Sequence, residues 1–563
     1  MPEPEPYRGG DAAPVYRFRP EERSLMPGSP ATPAHPVARR AAYLAIGTLL
    51  ALTGGFGNAL LVANLPQIQG ALGVTPVEGG WLTAAYSMTN VCMSLLLIKF
   101  RQQFGAARFT RVFLPAFVLV CALQLAARDY KVELAVRAAS GVVGSGLTTV
   151  ALFYVMQSMP PTLRLGGMVL GTGLSQVALP LARVVSPWLL EGGDVHALYL
   201  FELGLALGSL GAAALLPLPP SESVHAFEPL DFVTFVLFAP GIALLCGVFA
   251  VGRIVWWTTP WIGGALAVAI VLVAAAMLVE HERANPLLNT RWMASSQIVQ
   301  FALLGATMRV LLSEQGFGAS GLLAAVGMGQ EQVVPLYAIV SVATLAGLVA
   351  SLVTLDMKDL VRPIVISLAL IAIGAFMDAR ANNLTRPAEL YFSQALIGFA
   401  TTYFMGPMMM TGILRALAKG PSHIVSYSAV FGISQSLGGL AGGALLGTLQ
   451  TASERMHSNE LVQSLVAADP LVATRIDQLS QSYGRVVGDP ALLRTLGATL
   501  LSQQATREAN ILAYNDVFLL IGVLAVVALG LVGARWVHYR RTGTNPLAAE
   551  MEALARLRAQ RSS

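Results

Sequence analysis

The amino-acid sequence predicts an all-α polytopic membrane protein. Hydrophobic residues make up 55% of the 563 residues and charged residues only 12%, whereas soluble globular proteins carry about 25% charged residues. The mean hydropathy of +0.64 is high for a chain of this length. Apolar runs long enough to cross a bilayer recur along most of the chain, and a helix is the spanning element that satisfies its own backbone hydrogen bonds.

The first 42 residues are polar and rich in proline, glutamate and arginine. Residues 1–42 are therefore predicted to form a disordered cytoplasmic tail. Fourteen apolar runs follow, each near the length of about 20 residues that a membrane-spanning helix needs. The predicted spans are 43–65, 81–100, 109–127, 131–155, 166–190, 196–216, 231–251, 259–279, 299–325, 332–354, 361–379, 389–415, 424–449 and 513–537.

The loops on one side of these spans carry most of the lysine and arginine residues. By the positive-inside rule, both termini are predicted to be cytoplasmic. The same loops account for the net charge of +5, so no nucleic-acid partner is predicted. The long outside segment 450–512 has apolar residues at three- and four-residue spacing, which predicts an extracytoplasmic helical loop.

Short motifs recur at particular spans. VANLPQIQGALG closes the first span, WLTAAYSM opens the second, and LAVRAASGVVGSG lies in the fourth. EHERANPLLNTRWM follows the eighth, SQSLGGLAGGALLGT lies in the thirteenth, and AYNDVF opens the fourteenth. In this order they resemble the motifs of the 14-helix drug:proton antiporters of the major facilitator superfamily.

The resemblance implies the major facilitator fold, with two six-helix bundles and two extra central helices. The implied divisions are an N-terminal bundle at 43–216, linker helices at 217–295, a C-terminal bundle at 296–540 and a cytoplasmic tail at 541–563. The family also implies structural roles for a set of glycines and one acid, namely Gly105, Gly141, Gly438, Gly439 and Asp516.

Three positions depart from the family pattern. The family's first span carries an aspartate, and Gly57 stands in its place. Gln102 replaces an acid in the loop after the second span. Arg183 stands near the proline of the fifth-span antiporter signature. Proton coupling through the usual first-span acid is therefore not expected.

Two arginines lie inside predicted spans of the first bundle, Arg137 in the fourth and Arg183 in the fifth. An ionisable side chain at the centre of a span costs about 2.5–3.5 kcal/mol on insertion scales, so each needs a partner or a wet cavity. One hypothesis pairs Arg183 with Glu202 and Arg137 with Glu133. The other places both arginines on a cavity wall, where they attract anionic substrates.

Arg309 and Glu314 lie in the middle of the ninth span. Burial favours the protonated form of a carboxyl group and a nearby arginine favours the charged form, a competition that a proton-coupling site can use. Glu314 is therefore the candidate proton carrier, and a static Arg309–Glu314 pair is the alternative. Tyr403 and Met409 of the twelfth span are candidates for an adaptable apolar pathway.

Secondary active transport is the predicted function. All seven histidines fall in loops, span edges or tails, which argues against a polytopic enzyme with a histidine base or metal site. No cofactor or metal is predicted. The resemblance implies a proton-coupled exporter of organic compounds in the cell inner membrane. It also implies partnership with a periplasmic adaptor protein and an outer-membrane channel. An importer or symporter of a small organic anion is the alternative.

Overall fold

The computed structural model describes most of the chain as helix. The described residues are 28–160, 164–191, 193–224, 226–283, 285–420, 423–466 and 468–562. Within these ranges the chain forms helices and their connecting loops, with one isolated β-bridge between Pro30 and Ser221. Residues 1–27 of the predicted tail lie outside the described part.

The helices are numbered in chain order. Their bounds are α1 (Val37–Ala63), α2 (Leu65–Leu72), α3 (Pro76–Ala126), α4 (Tyr130–Ser158), α5 (Arg164–Leu174), α6 (Ala178–Leu189), α7 (His196–Leu215), α8 (Pro229–Val255), α9 (Pro260–His281), α10 (Thr290–Met293), α11 (Ser296–Ser313), α12 (Ser320–Ala325), α13 (Gln330–Val353), α14 (Arg362–Asp378), α15 (Tyr391–Tyr403), α16 (Met405–Lys419), α17 (His423–Ser464), α18 (Pro470–Ser480), α19 (Pro490–Thr542) and α20 (Ala548–Ser562). A π-helical segment, Glu314–Ala319, joins α11 to α12, and 3₁₀ turns occupy Ser175–Val177, Pro387–Leu390 and Gln481–Tyr483.

Twelve helical stretches in the described ranges are long and apolar enough to cross a membrane. One of them, α3, leaves helical geometry at Gly105 and so supplies two consecutive segments. Helix α14 is apolar but only 17 residues long, shorter than the other twelve. When both parts of α3 and the short α14 are included, each of the fourteen predicted spans has a helical counterpart.

The break in α3 depends on Gly105. Its φ of +76° lies in the region that favours glycine. A Cβ atom at this position would lie 2.5 Å from Ser221 Oγ. That hydroxyl oxygen accepts a hydrogen bond from the backbone N–H of Ala106 at 2.8 Å. The loop after α7 therefore packs directly on the turn between the second and third predicted spans.

The long helices form two bundles. Helices α1 and α3–α7 pack against one another as the first bundle, and α11–α17 with α19 form the second. Helices α8 and α9 pack together, and α8 contacts α3 of the first bundle and α17 of the second. The two extra helices therefore lie beside the seam between the bundles.

The prediction of a disordered tail extending to residue 42 is too long. Helix α1 already begins at Val37, and Ala31 is buried. The backbone carbonyl of Ala31 accepts a hydrogen bond from Gln157 at 2.9 Å, and its N–H donates to Pro220 at 2.8 Å. Hydrogen bonds from its backbone to the first bundle order this segment. A prediction from composition alone does not take such contacts into account.

The segment 450–512 is largely helical, as its apolar spacing predicts. Helix α17 continues without a break from the thirteenth span to Ser464, α18 follows, and α19 begins at Pro490 before entering the last span. Helix α18 packs on the first part of α19. In the predicted C-terminal tail, α20 packs against α16.

A buried ionic network attaches the extra helices to the first bundle. Asp231 of α8 is fully buried and accepts from Lys99 of α3 at 2.6 Å and from Arg283 at 2.9 Å. Arg283 also contacts Glu280 of α9 at 2.6 Å and Glu228 at 2.9 Å. One carboxylate therefore balances two cations from two different elements.

We expect Asp231→Ala to destabilise the protein by about 3–5 kcal/mol, because it leaves two buried cations short of a partner. Glu228→Ala is the matched control. It removes another carboxylate that contacts Arg283, but Glu228 is 40% exposed, and exposed pairs contribute about 0–1 kcal/mol. Thermal unfolding in detergent compares the two variants. Equal losses of stability would contradict the assigned role of Asp231.

Candidate functional site

A cavity of about 530 Å³ lies between the two bundles. Its wall is built from α1, the first part of α3 and the α5–α6 span on one side. On the other side it is built from α11 with the π-helical segment, α13, α15 and α17. Among the described lining residues the charged side chains are Arg183 and Arg309, and no carboxylate lines the wall. Each bundle therefore contributes one arginine to the cavity.

Arg183 faces the cavity from α6. Its guanidinium lies over the ring of Tyr337 of α13, 4.8 Å from the ring centroid. In the described residues no ion pair joins Arg183 to Glu202, and the Glu202 carboxylate instead accepts from Cys121 Sγ at 3.7 Å. The predicted Arg183–Glu202 pair is therefore wrong, because Glu202 lies behind α1 and away from the cavity face of α6.

Arg309 faces the cavity from α11. One terminal nitrogen donates to Gln176 Oε1 of the opposite bundle at 3.4 Å, and its buried Nε has no partner within the described chain. A Cβ atom on Gly438 would lie 3.1 Å from Arg309 Cβ, and one on Gly439 would lie 3.5 Å from a terminal nitrogen. The two predicted motif glycines of α17 therefore leave room for the arginine.

Glu314 lies behind the cavity wall and makes no ion pair with Arg309. It is fully buried, and its Oε1 accepts from Gln394 Nε2 of α15 at 2.9 Å. The same amide nitrogen donates to Asp378 Oδ2 of α14 at 2.7 Å. One oxygen of each carboxyl group therefore lies within hydrogen-bond distance of the same nitrogen atom. Three spans thus bring two carboxyl groups together around one amide.

A π-helical segment begins at Glu314. An α-helix places consecutive residues at fixed angles, and the extra residue of a π turn shifts this register for the residues that follow. Gln315, the next residue, lines the cavity, and its Nε2 donates to the backbone oxygen and Oε1 of Gln394 at 3.2 and 3.3 Å. Gln315 and Gln394 therefore link the cavity to the carboxyl pair.

Arg137 is fully buried behind the cavity wall of the first bundle. It donates to the Gly57 carbonyl at 2.8 Å and to Asn58 Oδ1 at 3.1 Å, and it lies 5.0 Å from the ring centroid of Tyr86. Asn58 and Tyr86 line the cavity and Arg137 does not. No ion pair joins Arg137 to Glu133, whose Oε1 accepts from Tyr199 at 3.4 Å.

Gly57 faces a carboxylate from another span. A Cβ atom at Gly57 would lie 3.2 Å from Glu202 Oε1. Glu202 is buried on α7, and the charge of Arg137 acts on it. The space that a first-span acid would occupy is therefore taken by an acid from the sixth span. This substitution was not predicted, because it depends on which helices pack side by side.

Tyr403 and Met409 lie outside the cavity wall. Met409 is buried where α5 of the first bundle packs on α16, and Thr172 of α5 donates to its Sδ at 3.4 Å. Tyr403 is buried at the end of α15 and accepts from Thr354 at 3.2 Å. Met409 therefore joins the two bundles outside the cavity, and Tyr403 packs within the second bundle.

Two further motif residues have structural contacts. Gly141 of α4 lies against α3, and a Cβ atom there would lie 2.1 Å from Thr89 Oγ1. Asp516 does not cap a helix, because α19 begins well before it, at Pro490. Its Oδ2 lies 2.9 Å from His457 Nε2 of α17. Both residues therefore join neighbouring helices.

The comparisons with known proteins all match one family of membrane transporters. A model of the Major Facilitator Superfamily matches residues 47–443. The chain is 23% identical to the multidrug export protein EmrB of Haemophilus influenzae over 491 residues, 83% of this chain and 91% of that protein. It is 21% identical to EmrB of Escherichia coli K12, covering 84% of this chain and 91% of that one.

Solved structures share the fold at low identity. The human organic anion transporter MFSD10 superposes with a TM-score of 0.52 at 13% identity, covering 87% of this chain and all of that one (100%). The PepTSo2 structure gives a TM-score of 0.52 at 13% identity, covering 89% of this chain and 99% of that chain. At this identity they support the fold alone.

We expect Gly57→Asp to destabilise the protein by about 1–3 kcal/mol, the usual cost of overpacking, since the new side chain crowds the Glu202 carboxylate. The double variant Gly57→Asp with Glu202→Ala is expected to recover most of this loss, because it leaves one carboxyl group in the same space beside Arg137.

Gly57→Asn is the control, since it adds the same bulk without a charge. A double-mutant cycle of unfolding midpoints, measured in detergent, gives the coupling between positions 57 and 202. Strictly additive effects of Gly57→Asp and Glu202→Ala would show that the two side chains do not share this space.

Proposed function

The chain belongs to the major facilitator superfamily and is a multi-span membrane transporter, and on this premise we propose that it exports small organic compounds in exchange for protons. The two curated relatives described above are both named multidrug export proteins. Fold alone does not set direction or substrate. Export is therefore proposed from these relatives, and proton coupling from the residues of the cavity and its surroundings.

The buried pair of Glu314 and Asp378 carries the coupling proposal. Two carboxyl groups that share one site cannot both ionise without a large electrostatic cost. A proton on one of the two removes this cost, because it leaves a single negative charge in the site. Gln394 has two amide hydrogens and donates one to each carboxyl group, at 2.9 and 2.7 Å. The pair is therefore suited to hold one proton in the interior of the second bundle.

The cavity side of the pair supplies a route for that proton. Gln315 lines the cavity and donates to Gln394. A water molecule that reaches Gln315 is two side chains away from the carboxyl pair. Rocking of the two bundles against each other opens the cavity, and with it Gln315, to one side of the membrane at a time. In one state the pair takes up a proton from outside, and in the other it releases the proton to the cytoplasm.

The remaining parts of the proposal concern location and partners. We place the protein in the cell inner membrane with both termini cytoplasmic. The helical segment of α17, α18 and the first part of α19 then projects on the outer side. Leu471 and Val486 of this segment are 80% and 85% exposed. We propose this projection as the contact for a periplasmic adaptor protein and, through it, an outer-membrane channel.

Glu314→Gln and Asp378→Asn are expected to abolish proton-driven accumulation while leaving exchange without a gradient intact, because each removes a titrating group but keeps side-chain size. Proteoliposomes with an acidic interior are tested for uptake of 1-naphthoate, 1-naphthamide and 1-naphthylmethylammonium. In vesicles in which the cytoplasmic side of the protein faces outward, accumulation by either variant is expected to fall to the level of protein-free liposomes.

Glu389→Gln serves as the matched control, since Glu389 precedes α15 and is exposed. Wild-type accumulation that requires protons to move in the same direction as the substrate would establish symport in place of export. Proton-driven accumulation that persists in both carboxyl variants would remove Glu314 and Asp378 from the coupling mechanism.

A further inference from the structure

The cavity carries unpaired positive charge. Arg183 and Arg309 are its charged lining residues in the described chain, and no carboxylate lines the wall. The buried acids near the cavity already have other partners. Glu314 and Asp378 share Gln394, and Glu202 lies behind α1. Two guanidinium groups therefore face the chamber without a facing anion.

Both arginines leave most of their hydrogen-bonding capacity unused. A guanidinium has five N–H donors. Arg183 makes no hydrogen bond or ion pair within the described residues, and its guanidinium lies over the face of the Tyr337 ring. Arg309 makes one long hydrogen bond, to Gln176 at 3.4 Å, and its buried Nε has no partner there. Unused buried donors are costly, so this arrangement favours a bound acceptor.

The side-chain amide of Gln435 is a further polar group in the cavity wall. Gln435 of α17 lines the cavity, and both its Oε1 and its Nε2 are buried without a hydrogen-bond partner in the described structure. Its Nε2 lies 3.4 Å from the Cβ position of Gly305, which is one helical turn before Arg309. Gln435 can therefore donate to the same group that Arg309 binds.

The rest of the wall suits an apolar body. Tyr86, Tyr337 and Phe317 line the chamber together with leucines of α6, α11 and α17. Gln176 and Arg183 are seven residues apart on one span, a rise of about 10 Å. A flat ring system that extends from Arg309 towards Tyr337 would thus pass along Arg183.

From these contacts we propose that the substrate is an aromatic organic anion whose carboxylate or sulfonate group binds Arg309, Gln435 and Gln176, while its ring system packs between Tyr337, Phe317 and Arg183. This deepens the proposed function by giving the substrate class. Because Arg309 and Gln435 belong to the second bundle and Gln176 and Arg183 to the first, the bound anion holds the two bundles together.

Binding of three matched naphthalene compounds tests the charge preference without any need for transport. 1-Naphthoate, 1-naphthamide and 1-naphthylmethylammonium share one ring system and differ in charge. Titrations followed by the thermal unfolding midpoint in detergent are expected to show that wild type binds the carboxylate at least about tenfold more tightly than the other two, as expected for charge-assisted hydrogen bonds.

Arg309→Gln is expected to remove this preference, and Arg309→Lys to retain part of it, since lysine keeps the charge and loses the planar fork. Arg183→Gln is expected to weaken binding of all three compounds through lost ring packing, and of the anion most. Arg253→Gln is the control. The Arg253 guanidinium lies 5.2 Å from the centroid of the Phe317 ring, but Arg253 is not among the residues that line the cavity.

Equal binding of the three compounds by wild type, or binding of none of them, would overturn the proposed substrate class. An undiminished carboxylate preference in Arg309→Gln would overturn the assignment of Arg309. The same titration on Glu314→Gln separates the two proposals. Retained anion preference in this variant supports the substrate class even where proton-driven accumulation fails in every form of the protein.

Discussion

A charge inside the hydrocarbon region of a membrane must meet a partner, a polar backbone group or water, since otherwise it costs several kcal/mol. This constraint explains where the ionisable groups of the protein lie. Arg137 is satisfied by a carbonyl and an amide of α1. Glu314 and Asp378 share one amide. Asp231 balances Lys99 and Arg283. Among the charged groups in the described part of the chain, Arg183 and Arg309 face the chamber between the bundles.

The same constraint gives small residues their roles. A glycine between two helices leaves space in which a charged side chain can approach the neighbouring helix. Gly57 leaves the space in which Glu202 lies, and Gly438 and Gly439 leave space for Arg309. Close helix approach through small residues is a general feature of membrane interfaces. In this protein it also determines which charges meet, so a glycine of the scaffold is part of the electrostatic arrangement.

The sequence predicts the helical class and the span positions well, because hydropathy reports directly on burial in lipid. It does not predict which face of a helix a charge occupies. Arg309 and Glu314 lie five positions apart in one apolar run, yet one faces the cavity and the other lies behind it. Five positions on an α-helix rotate a side chain by about 140°, so the two groups lie on different faces, but hydropathy alone does not report which of these faces the cavity. The sequence also does not pair Asp378 with Glu314, because the two acids and their shared partner Gln394 come from three different spans.

The charge of the proposed substrate bears on direction as well as recognition. Export of a monovalent anion in exchange for one inward proton moves two positive charges inward per cycle. Across a membrane that is negative inside, each charge contributes about 2.3 kcal/mol per 100 mV, so the potential supplies about twice that, in addition to the pH gradient. Symport of the same anion with one proton moves no net charge and gains nothing from the potential. An arginine-lined chamber beside a single-proton carboxyl pair therefore makes export the direction in which both components of the proton-motive force contribute.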